Sequence, residues 1–172
     1  MTRWCAALLA ITSLACGGAD APAPMSQPGV IDLPGGGKRV TLTARSVYGE
    51  GWDVTSARIT PDQTGSTFYL RATMVVGLVP TTIGDAFCRQ QPAAGAPAFA
   101  RVEDVPGDAS SCTMFTSAEL GGNFAHSDSA WAGQGYLLRD SAGVGRAKLL
   151  IVADYGIGAD VGVTFDIVGI GS

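Results

Sequence analysis

The sequence is poor in charged residues, and this excludes several classes of protein. Of its 172 residues only 15% are charged, against roughly 25% in an average soluble domain. Lys and Arg number 11 and Asp and Glu number 15, which gives a formal net charge of −4. No cluster of basic residues offsets this balance. We therefore expect no nucleic-acid partner.

Histidine, the side chain that most often serves as a catalytic acid or base, is also scarce, because His126 is the only one. Ser127 and Asp128 follow it directly, but neighbours in sequence point in different directions and do not form a catalytic triad. The Gly-x-Ser-x-Gly motif of many hydrolases is absent. The sequence favours an exposed polar turn here and a non-enzymatic protein. A small secreted hydrolase using His126 is the alternative.

The first residues have the pattern of a secretory signal. Met1–Arg3 form a short positive start, and the apolar run from Trp4 to Ala15 follows. This run is shorter than the about twenty residues that a membrane-spanning helix requires. It has the size of the apolar region of a signal peptide, so residues 1–15 are predicted to be removed.

The end of this segment, Leu14-Ala15-Cys16, resembles the lipobox of bacterial lipoproteins, with Ser13 where that family usually has Leu. The resemblance covers residues 1–17 and implies that Cys16 carries a lipid and becomes the N-terminus. Gly17 is not the Asp that favours retention in the inner membrane, so the resemblance implies a lipid-anchored envelope protein, with the outer membrane as its site. Alternatively, Ser13 and Ala15 direct ordinary cleavage and release a soluble secreted or periplasmic protein.

A tether is predicted between this anchor and the folded domain. Residues 16–37 are rich in Pro, Ala and Gly, and Pro22, Pro24 and Pro28 favour an extended path of about 3 Å per residue. The membrane is thus an expected partner through the lipid. Residues 38–172 are predicted to form a single domain.

With Cys5 in the signal peptide and Cys16 lipidated, Cys88 and Cys112 are left as one pair. An exported protein lies in a compartment that permits disulfides. A bridge between them would stabilise the domain by on the order of 3 kcal/mol. Two buried, reduced thiols are the alternative. With His126 these cysteines supply three ligands at most, so no zinc site is expected.

The predicted domain has the period-two pattern of β-strands. Val40, Leu42 and Ala44 alternate with polar residues, and the same alternation recurs along 68–76 and 161–167. Turn signals separate the strands, among them residues 48–51 (YGEG). The sequence predicts an all-β fold, an antiparallel β-sandwich of about 7–9 short strands. A small closed β-barrel is the alternative.

Residues 89–111 interrupt this rhythm as a long loop rich in Pro, Ala and Gly, with a strand expected at 98–102. Long loops in compact domains are usually functional or disordered, so the segment is either a partner-binding surface or a stapled insertion. Glu103, Asp104 and Asp108 are weak candidates for Ca²⁺ ligands. We expect no cofactor.

Five aromatic residues allow two interpretations. They form a sugar-stacking or partner-binding surface if they cluster at one edge, and otherwise they fill the core. They are Tyr48, Trp52, Trp131, Tyr136 and Tyr155.

Together these observations predict an envelope-anchored lipoprotein with a non-enzymatic binding or interaction domain. The domain would present its loops, chiefly 89–111, to an envelope protein or glycan. The alternatives are the hydrolase and a β-barrel that carries a small apolar ligand, and the sequence identifies no specific ligand.

Overall fold

The structure is a computed structural model that describes residues 27–72, 75–108, 113–115, 118–122, 132–157 and 160–171. The regular secondary structure of the described residues is almost entirely β-strand. Their one helical segment is a 3₁₀ turn at Val102–Asp104. No helix within these ranges is long and apolar enough to cross a membrane.

Twelve strands are present in the described residues. In chain order they are β1 (Val30–Asp32), β2 (Lys38–Ala44), β3 (Tyr48–Asp53), β4 (Arg58–Thr60), β5 (Phe68–Ala72), β6 (Val75–Pro80), β7 (Ala86–Gln90), β8 (Thr113–Phe115), β9 (Ala118–Gly122), β10 (Gly135–Arg139), β11 (Gly145–Ile157) and β12 (Asp160–Gly169).

These strands form two antiparallel sheets. One has seven strands in the order β1-β2-β12-β11-β10-β7-β8, and the other has five in the order β4-β3-β5-β6-β9. The predicted all-β sandwich is confirmed, and the closed barrel is wrong because the two sheets do not join into one. The strands outnumber the predicted 7–9 because β1, β4 and β8 are only three residues long, too short to show a period.

The space between the sheets is filled with apolar side chains. Phe68 of β5 packs edge-on against Phe87 of β7, with ring centroids 5.4 Å apart, and lies 5.7 Å from Phe165 of β12. All three rings are fully buried. These rings thus pack against one another between the two sheets.

A second, smaller core lies on the outer side of the seven-stranded sheet, under residues 91–108, which we call the covering loop. Val102 and Val105 of this loop are buried with Leu150 of β11. Lys148 donates a hydrogen bond of 3.3 Å to the carbonyl oxygen of Glu103. The strand predicted at 98–102 is absent from the described loop, because the chain there crosses the sheet rather than pairing with it.

The folded domain begins before the predicted boundary at residue 38. Val30 pairs with Val40 in the β1–β2 ladder, and the side-chain oxygen of Gln27 accepts a 2.9 Å hydrogen bond from the backbone of Ile59. The last part of the predicted tether therefore belongs to the sandwich. The apolar residues of β1 are too few to have been recognised as a strand.

Candidate functional site

The chain crosses from one sheet to the other at a tight corner between β2 and β3. An added Cβ on Gly49 would lie 2.5 Å from the Ala44 Cβ and 2.6 Å from the Thr43 carbonyl oxygen. Real side chains do not approach a backbone this closely. Glycine is therefore required at this position so that the two strands can touch.

The same requirement recurs two residues later along β3. A Cβ on Gly51 would lie 2.4 Å from Cβ of Ser66 and 2.7 Å from Oγ1 of Thr60. The turn predicted at 48–51 is wrong, because all four residues lie within a strand. Neither glycine has a positive φ, so they serve close approach rather than reversal of the chain.

A half-open cleft of about 400 Å³ lies at this junction, and we call it the corner cleft. Its side chains carry a guanidinium, a carboxylate, two hydroxyls and a phenol beside one proline ring. The residues are Thr43, Arg45, Ser46, Tyr48, Glu50 and Pro61, with Gly49 between them.

One carboxylate is held firmly in the corner cleft. Oε2 of Glu50 accepts hydrogen bonds from the backbone N–H of Thr43, at 2.7 Å, and from its hydroxyl, at 2.8 Å. Two donors on one oxygen fix the side chain on the wall formed by β2. Among the described residues no hydrogen bond reaches Oε1, which leaves that oxygen able to accept from a ligand.

The other side of the cleft is exposed and less constrained. Arg45 is exposed and has no ion-pair or hydrogen-bond partner within the described residues. Ser46 donates a 2.9 Å hydrogen bond to the carbonyl oxygen of Tyr48. Tyr48 is 54% exposed, and its ring lies 6.0 Å from that of Tyr69, tilted by 53°. A guanidinium and an aromatic ring are thus both open to a ligand.

The five aromatic residues considered from sequence separate between core and surface. Trp52 and Tyr136 are each 2% exposed and belong to the core, whereas Tyr48 lines the corner cleft. Trp131 and the side chain of Tyr155 lie outside the described part. Sequence reasoning missed Arg45 and Glu50, although two glycines flanking Glu50 were a signal of close backbone approach.

A second unusual carboxylate lies away from the cleft on β11. Burial raises the pKa of Asp154 above its ordinary value. Its buried Oδ1 has no hydrogen-bond partner among the described residues. Partial burial disfavours the charged form of this carboxyl, so Asp154 is expected to destabilise the fold slightly at neutral pH.

The residues considered for calcium do not converge in the described structure. Asp104 forms an ion pair with Arg101 at 3.4 Å, while Glu103 and Asp108 are exposed. Within the described ranges no group of three or more His, Cys, Asp or Glu residues is arranged to hold a metal ion.

Four residues were considered from sequence for lipidation, a disulfide or catalysis. Three of them fall outside the described ranges: Cys16, Cys112 and His126. Cys88 is fully buried in β7 and stands opposite Met114 of β8 in the ladder. The lipid site, the disulfide and the histidine therefore stay predictions.

Comparisons with known proteins found no similarity on which to draw. No protein-family model, no curated protein and no solved structure matches this chain.

Proposed function

We propose that this protein is a lipoprotein of the bacterial envelope whose β-sandwich is a non-enzymatic binding module. The anchor is supported by the apolar run of 4–15 ending in Leu14-Ala15-Cys16. A triacylated or diacylated terminus would hold the protein at the membrane, where one acyl chain alone binds only marginally. We place it in the outer membrane, since Gly17 follows the cysteine.

The observation that carries the binding role is the chemistry of the corner cleft. Glu50 is the one carboxylate among its lining residues, whereas most glycoside hydrolases need a pair. The Ser46 hydroxyl donates to the Tyr48 carbonyl oxygen rather than to a base. Fixed polar groups beside an exposed ring favour recognition over bond cleavage.

We also propose a disulfide between Cys88 and Cys112. Cys88 stands opposite Met114, and Cys112 precedes Met114 by two positions in the sequence. The strand β8, which pairs with β7, thus begins directly after Cys112 in the sequence. An exported protein encounters the oxidising conditions that such a bridge needs.

Fractionation of cells that express the full chain tests the anchor. Wild type and Cys5→Ala are expected in the membrane fraction, because Cys5 is removed with the signal. Cys16→Ala is expected to lose the lipid and leave that fraction. Wild type recovered as soluble protein, or Cys16→Ala retained like Cys5→Ala, would overturn the proposal.

Photo-crosslinking in the native envelope tests the binding role. A photoreactive residue replacing Ser46 lies at the corner cleft, whereas one replacing Thr64 lies on an exposed loop. We expect adducts with envelope protein or glycan from position 46 and few from position 64. Equal labelling from both positions, or none from either, would contradict a binding module that uses this corner.

A further inference from the structure

We infer that the corner cleft is a saccharide-binding site, an inference that rests on the proposed binding function and names its ligand class. The cleft combines one exposed cation, Arg45, one fixed anion, Glu50, and one exposed ring, Tyr48. Each of these three groups restricts the chemistry of the ligand.

The opposite charges argue for a ligand with hydroxyl groups. A simple anion would be attracted by Arg45 but repelled by Glu50, and a simple cation would meet the reverse. A hydroxyl group both donates and accepts hydrogen bonds. It can therefore accept from the Arg45 guanidinium while its neighbour donates to the free Oε1 of Glu50.

The exposed ring supplies the apolar contact that a sugar needs. One face of a pyranose ring presents mainly C–H groups, which pack on aromatic rings. Tyr48 is 54% exposed and is braced from one side by Tyr69. Tyrosine loses little conformational entropy when it binds, because it has only two side-chain torsions.

The size and shape of the cleft favour a small ligand over a protein surface. Its volume of about 400 Å³ lies within the range of roughly 300–1,000 Å³ typical of small-molecule sites. A stable protein interface commonly buries about 800 Å² on each partner and is not concentrated in one concave site. One or two sugar units at a chain end or branch match this cleft better.

The site is also partly organised before any ligand arrives. Glu50 is fixed by two hydrogen bonds from Thr43, and Gly49 holds β3 directly against the end of β2. Less ordering of these groups is needed on binding, which favours affinity. Arg45 is the group that still has to be ordered by the ligand.

Ligand-observed NMR on the full chain in detergent tests the inference. The probes are methyl glycosides of glucose, galactose, N-acetylglucosamine and glucuronic acid, together with soluble fragments of cell-wall glycan. We expect at least one to bind, and Arg45→Ala and Tyr48→Ala to weaken that binding about tenfold or more. Tyr48→Phe keeps the ring and is expected to retain most of the affinity.

Arg58→Ala is the matched control, because Arg58 is an exposed arginine on β4 that does not line the cleft. It is expected to bind as wild type does. The inference is overturned if no probe binds to the folded protein, or if Arg45→Ala and Tyr48→Ala bind as Arg58→Ala does.

The experiments can overturn the proposed anchor and the proposed saccharide site independently of each other. Acylated protein that yields position-46 adducts with proteins, and binds no sugar, would overturn the saccharide inference and leave the envelope binding module intact. Sugar binding by a chain that is neither acylated nor membrane-bound would overturn the anchor while supporting the cleft.

Discussion

The covering loop follows β7, and the corner cleft lies between β2 and β3. The two regions differ in how far their key side chains are exposed. In the loop, Val102 and Val105 are buried against the sheet. At the cleft, Arg45, Ser46 and Tyr48 remain exposed. Two valines thus fix the loop that sequence suggested as a binding surface to the sheet, while most of its described residues stay exposed. The corner cleft combines exposed side chains with a concave shape.

The largest effect is expected from changing the glycine that shapes the corner. Gly49→Ala should lower the free energy of unfolding by about 3 kcal/mol, because its Cβ would meet backbone atoms of β2 and overpack the junction. Gly169→Ala meets nothing within 4 Å and should behave as wild type. Urea denaturation measures both. Equal stability of the two variants would refute the close approach at the corner.

The covering loop should contribute the next largest effect. Val105→Ala removes two methyl groups from a fully buried site and should cost about 2 kcal/mol. Val144→Ala, at a site 58% exposed, should cost little. If Val105→Ala were as mild as Val144→Ala in denaturation, the loop would not be a packed cover.

Asp154 tests the pH dependence of the fold. Its raised pKa means that stability from the protonated carboxyl is present below its unfolded pKa of about 3.9 and is lost as the pH rises through the folded pKa. Asp154→Asn should therefore be more stable than wild type at pH 7, by about 0.5 kcal/mol or less because solvent screens this partly exposed carboxyl. This advantage should vanish near pH 3. A gain that persists at acid pH would exclude desolvation of the charge as its cause.

The smallest effect on stability is expected at the open surface of the cleft. Arg45→Ala should change the free energy of unfolding by less than about 0.5 kcal/mol, because the side chain is exposed and has no partner among the described residues. Its effect should be confined to binding. A loss as large as that of Val105→Ala would make Arg45 structural and remove it from the proposed site.

Much of the fold could be predicted from sequence because alternation is a local signal. Val40, Leu42 and Ala44 all face the core, as the period-two pattern indicated. The short strand β1 could not be predicted in this way. Its place depends on pairing with β2, which three residues cannot encode by themselves.

The site was harder to predict because it depends on contacts across the sandwich. Tyr48 was considered from sequence only as one of five aromatic residues. What distinguishes it from the buried Trp52 is that it begins β3 at the crossing between the sheets. The role of Glu50 depends on Thr43 of the neighbouring strand. Val102 and Val105 are buried against Leu150 on the outer side of β11. This contact cannot be read from the composition of the loop.

The central claim is that the protein is anchored in the envelope as an oxidised lipoprotein. The intact mass of the protein extracted from its native membranes, before and after reduction, tests this most directly. The account predicts the mass of residues 16–172 plus acyl groups, with a gain of two hydrogens on reduction. An unmodified chain found only in the soluble fraction, with a mass unchanged by reduction, would contradict it.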